Sequence, residues 1–210
     1  MRRRHAVRLA QYLFLLIGLA ALGYYALVWV KAKRYQAREE RTFQKELRAR
    51  QAAPHPAIPP PPMVLADGSL MGRLMIPRIH LSVMVVQGDN DSDLRRAVGH
   101  IPGTALPGQN GNVAIAGHRD TFFRPLRFIR PGDTILLKTL QGTYSYQVTR
   151  TNIVKPDDVQ VLYPTGHNTL TLVTCFPFYY VGSAPDRFIV SAQAAPGNNQ
   201  GLSAPTSTAP

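Results

Sequence analysis

The sequence predicts a mainly β domain preceded by a single N-terminal transmembrane helix, and two features of the chain lead to this fold class. Residues 9–30 form an apolar segment without one charged side chain. From about residue 65 onward, short β-branched and alternating runs are separated by turns that contain Gly or Pro. That pattern is typical of an antiparallel barrel or sandwich. A length of 210 residues accommodates one such domain with appendages.

The apolar segment, LAQYLFLLIGLAALGYYALVWV, has 22 residues and would cross a hydrocarbon core of about 30 Å at about 1.5 Å per residue. Tyr24, Tyr25 and Trp29 lie toward one end, where an aromatic belt is expected. A cleaved signal peptide would have a shorter apolar core and a small-residue cleavage site, and no good site follows Val30. We therefore predict an uncleaved anchor over residues 9–30.

The formal net charge of +12 is concentrated near the N-terminus, where residues 1–53 carry 12 Lys and Arg against 3 Glu. This excess flanks the apolar segment, which favours a membrane surface over nucleic acid as the partner. More basic residues follow the segment than precede it, and that count favours the carboxyl side inside. The compact cluster within residues 1–8 resembles a signal-anchor n-region, and large domains translocate largely regardless of charge. We therefore expect that end to be cytoplasmic and the folded domain extracytoplasmic.

Residues 31–64 are predicted to be a stalk and a linker. The part up to residue 53 is rich in strong helix formers. Residues 54–62 then contain six prolines, which favour an extended polyproline spacer of about 28 Å. We expect both parts to be solvated and to supply nothing beyond distance from the membrane.

The folded domain is predicted over residues 65–193. Asp91 or Ser92 is expected to cap a short helix that reaches Val98, and a helical turn is expected within residues 121–129. Residues 194–210 are small, polar and Pro-rich, which predicts a disordered tail. Strands are expected over residues 73–79, 82–87, 112–116, 133–140, 143–151, 169–175 and 187–192.

One predicted strand, TLTLVTCFP at residues 169–177, holds the single cysteine of the chain, Cys175. Proline has no N–H for a central ladder, so the strand should stop directly after Cys175. A lone cysteine often serves as a small buried hydrophobe. Two further runs, AIAGHRD and APDRFIV, place His118 and Arg187 at the edges of other strands. Cys, His and Arg at three strand ends suit nucleophilic thiol chemistry.

These runs carry a resemblance to a known family. TLTLVTC resembles the TLxTC signature of the sortases, the membrane-anchored cysteine transpeptidases of bacteria. AGHRD is similar to the histidine segment of that family, and Arg187 matches its arginine. Residues 72–88 and 99–123 resemble the family as well, so that the similarity covers about residues 71–192. GHRDTFF and APDRFIV resemble the subfamilies known as class D and class E.

The resemblance implies an eight-stranded β-barrel with a few short helices, and it implies a role for each motif residue. Cys175 would attack a backbone carbonyl of a sorting-signal peptide and form a thioacyl enzyme. His118 would protonate the departing amine, and Arg187 would stabilise the oxyanion. Thr174, directly before the cysteine, is assigned to substrate binding. An amine of a cell-wall precursor or a pilin would accept the acyl group, with no cofactor and no metal ion.

Spacing supports the association of Cys175 with Arg187. If Cys175 ends one strand and Arg187 begins its antiparallel neighbour, the connection brings both side chains to one rim. The intervening loop, residues 176–186, would then form a wall of the substrate groove.

Other acidic and histidine residues are interpreted as surface or loop groups. Asp120 is two residues after His118, but positions two apart on a strand contact each other poorly. Asp89, Asp91 and Asp93 alternate as in a calcium loop, although Gly and Glu are missing at loop positions six and twelve. The histidines without partners at zinc spacing are His5, His55, His80, His100 and His167.

Two alternatives to a transpeptidase remain at the level of the sequence. One is a membrane-tethered, non-catalytic β-domain that binds peptides, with Cys175 as core filler. The other is a hydrolytic cysteine peptidase with the same residues, in which water replaces the amine. The sorting motif remains open among LPxTG-like, LPNTA-like and LAxTG-like signals, and so does the acceptor amine.

Overall fold

The computed structural model describes residues 2–52, 65–180 and 182–195. The chain begins with a helix of 51 residues, α1, Arg2–Ala52, which at about 1.5 Å per residue is about 77 Å long. Within the described ranges it is the one helix long and apolar enough to cross a membrane, by length and composition. The predicted anchor and the helical stalk are therefore one uninterrupted helix. The Pro-rich linker, and the predicted tail beyond residue 195, lie outside the described residues.

Eight strands form a closed barrel, which confirms the expected fold class. The connections include a short helix, α2 (Asp91–Leu94), and three 3₁₀ helices, Pro77–Ile79, Arg124–Phe128 and Val159–Leu162. The strands are β1 (Leu70–Ile76), β2 (Leu81–Gln87), β3 (Val98–His100), β4 (Asn112–Ala116), β5 (Thr134–Thr139), β6 (Thr143–Val154), β7 (Thr169–Phe176) and β8 (Asp186–Ala194).

The order of strands around the barrel is β1-β2-β3-β4-β7-β8-β6-β5, with β5 returning to β1. The sequence pattern indicated an antiparallel barrel or sandwich; most neighbouring strands are antiparallel, but β2–β3 and β4–β7 are parallel pairs. Parallel neighbours require long crossover connections. The α2 segment supplies one crossover, and β5 with β6 forms part of the other.

Two local predictions near α2 were also wrong. The N-cap of α2 is Asn90, whose side-chain oxygen accepts from the N–H groups of Ser92 and Asp93 at 3.0 and 3.1 Å. The helix ends at Leu94, and Val98 begins the three-residue strand β3. Such a short strand has little periodicity of its own, and it forms because β2 and β4 supply hydrogen-bonding partners on both sides.

His100, interpreted from the sequence as a surface or loop residue, is buried at the end of β3 with 1 % of its surface exposed. Its Nδ1 lies 3.0 Å from Oε1 of Gln87, and its Nε2 lies 2.9 Å from the carbonyl oxygen of Ala105. Burial lowers the pKa of His100, although the hydrogen bond to Ala105 acts in the opposite direction.

The hydrophobic core fills the barrel interior, and it identifies the two faces of each strand. Leu170 and Leu172 of β7 belong to the core, as do Val190 and Ala192 of β8. Because successive side chains of a strand alternate between faces, the odd-numbered residues of both strands lie on the outer face of the barrel.

The carboxyl half of α1 packs against the barrel, so the expectation of a purely solvated stalk was wrong. The side-chain amide of Gln36 donates to the carbonyl of Arg96 at 2.7 Å and accepts from the N–H of Met84 at 2.8 Å. Glu40 forms an ion pair with Arg73. Phe43 is fully buried. These helix residues occupy one face at spacings of four and three, but a single large apolar residue among polar ones gives no amphipathic signal.

Candidate active site

Three strands bring the predicted catalytic residues to one rim of the barrel. β4 and β7 run parallel, and the last pair of their ladder is Ala116 with Val173. Both strands therefore end at the same edge, where β8 begins antiparallel to β7. Cys175 and Arg187 are opposite one another in that antiparallel pair. The structure thus places the thiol and the guanidinium as the spacing predicted.

His118 follows β4 by two residues. The N–H of Gly117 donates to the carbonyl of Val173 at 3.1 Å, so the chain stays beside β7 beyond the strand end. Extending the register two residues beyond the Ala116–Val173 pair places His118 level with Cys175. Neighbouring strands lie about 4.8 Å apart, and the order across the rim is His118, Cys175, Arg187.

The same alternation places these residues on the outer face. Cys175 and Arg187 are odd-numbered, whereas the core residues of β7 and β8 are even-numbered. Val113 and Ile115 of β4 are core residues, so Ala116 and, two residues later, His118 belong to the outer series. A substrate would reach the three residues from outside the barrel.

Cys175 is a free, partly exposed cysteine. It is therefore not the fully buried hydrophobe that a lone cysteine often is. Arg187 is partly buried, and its Nη1 donates to the carbonyls of Ala184 and Asp186 at 3.3 and 3.0 Å. Among the described residues, none accepts a hydrogen bond from its Nε or Nη2.

Thr174 has a different place from the one predicted. Its side chain is 2 % exposed, and its hydroxyl donates to the carbonyl of Gly117 at 2.7 Å. The hydroxyl therefore connects β7 to the residue before His118 and is not presented to a substrate on the outer face. Strand alternation already indicates this orientation, because a threonine one position from a cysteine faces the opposite side of a strand.

The acidic residue beside the site, Asp186, forms an ion pair with a lysine. Asp186 directly precedes Arg187, and its carboxylate accepts from Nζ of Lys155 at 2.8 Å. This hydrogen bond raises the pKa of Lys155. Lys155 follows β6, and no local sequence pattern associates it with the site. Among the described residues, the carboxylate of Asp186 forms an ion pair with Lys155 and none with Arg187.

A cavity of about 420 Å³ lies on the same outer face, farther from the rim. Its floor includes Thr171 of β7 together with Ile189 and Ser191 of β8, and Gln160 and Val161 of the last 3₁₀ helix form a wall. A larger cavity of about 600 Å³ surrounds Gly111 and Asn168 at the opposite ends of β4 and β7. Among the described residues, no group of three or more His, Cys, Asp or Glu could hold a metal ion.

The sequence profile of the sortase domain family matches residues 74–195. This range covers all eight strands except the start of β1, and it includes His118, Cys175 and Arg187. The chain belongs to the sortase family.

Relatives and solved structures agree with this membership. Sortase D of Bacillus subtilis is 37 % identical over 124 residues, which are 59 % of this chain and 63 % of that protein. Sortase A of Bacillus anthracis is 29 % identical over 110 residues, which are 50 % of this chain and 52 % of that protein. This sortase therefore spans less than two thirds of the length of these curated relatives. Its similarity to Sortase D is consistent with the class D-like motifs.

Among solved structures, the Clostridium perfringens Sortase D5 transpeptidase has a TM-score of 0.61 at 25 % identity. The alignment covers 79 % of this chain and 99 % of that one. The SrtA sortase of Actinomyces oris has a TM-score of 0.58 at 30 % identity, and the alignment covers 66 % of this chain and 87 % of that one. The eight-stranded barrel is thus the sortase fold.

Proposed function

We propose that this sortase is a membrane-anchored cysteine transpeptidase acting on sorting-signal peptides of secreted proteins. The observation that carries the proposal is the register of the rim, in which a partly exposed thiol at Cys175 is opposite Arg187, and His118 follows two residues after the last β4–β7 pair. A non-catalytic peptide-binding domain would have no need of all three groups side by side.

The first half-reaction forms a thioester. The thiolate of Cys175 attacks the carbonyl carbon of a backbone amide, and the electron pair of the C=O bond moves to oxygen. Nε and Nη2 of Arg187 donate to this oxyanion. When the tetrahedral intermediate collapses, the C–N bond breaks, and His118 as imidazolium gives its proton to the leaving amine. The product is an acyl group on the sulfur and a neutral imidazole.

The second half-reaction transfers the acyl group. An amine of a cell-wall precursor or a pilin attacks the thioester carbonyl and loses a proton to His118, and the thiolate of Cys175 leaves. Water in place of the amine would give hydrolysis by the same steps. Both routes regenerate the thiolate–imidazolium pair, so the chemistry needs no cofactor.

The helix α1 supports the location of this chemistry. Its apolar part is 0 % buried within the structure, so a bilayer is the environment that would remove this surface from water. We propose a single-pass anchor over residues 9–30, with residues 1–8 cytoplasmic and the barrel on the outer side.

The test uses the full-length chain in detergent micelles, peptides with LPxTG-like, LPNTA-like or LAxTG-like signals, and a free amine, with products followed by mass. We expect a thioacyl adduct on Cys175 and an amide product, both absent in Cys175→Ala. Cleavage without amide would favour the hydrolytic peptidase. A folded protein whose Cys175 neither acylates nor reacts with iodoacetamide would leave the non-catalytic binding domain.

A further inference from the structure

The loop between β7 and β8 connects Cys175 to Arg187, and its two ends are held differently from its middle. We call residues 177–185 the β7–β8 loop. At its base, Phe178 packs edge-on against Phe176 and Phe188, with ring centroids 6.0 and 5.3 Å apart. Its middle carries Tyr179 and Tyr180, which are 73 % and 48 % exposed and so take little support from the core.

Arg119, the residue after His118, holds the middle of this loop. Its Nη2 donates to the carbonyl of Tyr180 at 2.9 Å and to that of Gly182 at 3.0 Å. Its guanidinium carbon also lies 5.7 Å from the ring centroid of Tyr180. Gly182 has φ of +101°, a conformation that glycine adopts readily, so the backbone turns at the residue that Arg119 binds.

Arg127 makes a second connection of the same kind. Its guanidinium carbon is 5.3 Å from the ring centroid of Tyr179 and 4.6 Å from that of Phe128. Stacking of a guanidinium on aromatic rings is favourable, and more so when it is shielded from water. The two arginines thus contact both exposed tyrosines of the β7–β8 loop.

The arginines extend from a firmly packed segment. The N–H of Phe123 donates to the carbonyl of His118 at 3.0 Å, and Phe123 and Leu126 are fully buried core residues. The segment from His118 to Phe128 is therefore anchored in the barrel, and the β7–β8 loop is held against it.

Part of this arrangement is unfavourable for the fold alone. Within the described residues, Nη1 of Arg119 and both Nε and Nη1 of Arg127 are buried without a hydrogen-bond partner. Buried unpaired donors cost free energy, which leaves the contacts with the loop as the favourable interactions of both guanidinium groups.

We propose that Arg119 is a positioning residue that locks the β7–β8 loop to the segment after His118, with Arg127 as a second lock. The lock couples the loop that leads from Cys175 to Arg187 with the chain that carries His118. It therefore keeps a wall of the substrate groove in place during acylation. This inference rests on the proposed transpeptidase function, since the distances that it controls matter only for a reacting site.

The test compares four full-length proteins in detergent, namely the parent, Arg119→Ala, Arg119→Lys and Arg124→Ala. Arg124 is an exposed arginine of the same segment and serves as the matched control. Turnover of the peptides with free amine is divided by the folded fraction from near-UV circular dichroism, because iodoacetamide also alkylates the exposed thiol of unfolded chains. Hydrogen exchange of residues 177–185 reports on the loop without any substrate.

We expect Arg119→Ala to lower kcat/KM per folded molecule by about tenfold to hundredfold, because small misplacements of reacting groups have effects of that size. Exchange in the loop should rise at least tenfold. Arg119→Lys should recover part of both, since an ammonium can donate to the two carbonyls, and Arg124→Ala should match the parent.

Three outcomes would count against the proposals. An active parent with Arg119→Ala within twofold of Arg124→Ala would overturn the positioning role. Unchanged exchange in residues 177–185 would overturn the lock itself. A parent that alkylates at Cys175 but turns over no peptide would instead contradict the transpeptidase function, and loop exchange alone would then decide whether Arg119 locks the loop.

Discussion

Cys175 and Arg187 are cross-strand partners, opposite each other in the antiparallel β7–β8 pair one step before the strands part. Side chains at such positions have Cβ atoms about 5 Å apart. The sheet itself, held by backbone hydrogen bonds, therefore makes Cys175 and Arg187 neighbours at the rim. This explains why the pair is twelve residues apart in sequence and yet adjacent.

Arg187→Lys should separate charge from geometry at this position. Lysine keeps the positive charge but loses the planar set of N–H donors. We expect kcat to fall by about a hundredfold or more, as for loss of an oxyanion donor. Alkylation of Cys175 by iodoacetamide should continue. Arg124→Lys, an exposed arginine outside the rim, is the control, and turnover of Arg187→Lys within threefold of it would argue against the oxyanion role.

His118→Asn should lower peptide turnover by about 10²–10⁴-fold, since the side chain can then neither give nor accept the proton. His80→Asn is a matched control. His80 is an exposed histidine with φ of +52°, and asparagine tolerates that conformation well. Steady-state rates of both variants with the same peptide decide the question, and equal rates would remove His118 from the mechanism.

Thr174→Val should act through the segment that carries His118. The substitution keeps the shape but leaves the buried carbonyl of Gly117 without its 2.7 Å hydrogen bond. The free energy of unfolding should fall by about 1–3 kcal/mol, and turnover per folded molecule should fall too. Thr174→Ser retains the hydroxyl and should recover both quantities in urea unfolding and kinetics. A Val variant close to the parent beside an impaired Ser variant would mean that packing of the methyl group, and not the hydrogen bond, is what matters.

His100 should make the barrel sensitive to acid. Burial lowers its pKa in the folded protein, so the unfolded chain takes up the proton first. The stabilisation is complete above the unfolded pKa of about 6.5, and it is lost as the pH falls toward the lower folded pKa. The nearby charge of Asp89 opposes the shift without cancelling it. Thermal unfolding at pH 5 and pH 7.5 should therefore show a smaller pH dependence in His100→Gln than in the parent.

Phe43→Ala should detach the stalk from the barrel without unfolding it. Phe43 is fully buried, and truncation of a buried phenylalanine costs about 3–5 kcal/mol. We expect this loss to weaken the contact of α1 with the barrel at β2. Hydrogen exchange should therefore rise in residues 31–52 and at Met84 but not in β7. Thr42→Ala, at an exposed neighbour, should leave both unchanged. Exchange that rises equally throughout the barrel would mean that α1 is part of the core and not a docked element.

The local sequence was sufficient for those features that depend on neighbouring residues. The length of the uncharged apolar segment identified the helix over residues 9–30. Alternating polar and apolar residues, separated by turns that contain Gly or Pro, identified most strands. Strand ends at Pro177 and after Gly117 placed Cys175 and His118 at a rim. A nearby Arg at the start of the next strand completed the site, because antiparallel neighbours return to the same edge.

The tertiary structure alone decided what depends on distant partners. The parallel β4–β7 pair, the strand β3 and the burial of His100 follow from neighbours far along the chain, and no local periodicity reports them. The partner of the Thr174 hydroxyl, the carbonyl of Gly117, and the contact of Arg119 with the β7–β8 loop are likewise fixed by packing. A polar side chain has the same local sequence signal whether it meets water, substrate or a buried carbonyl, and only the fold determines which of these it meets.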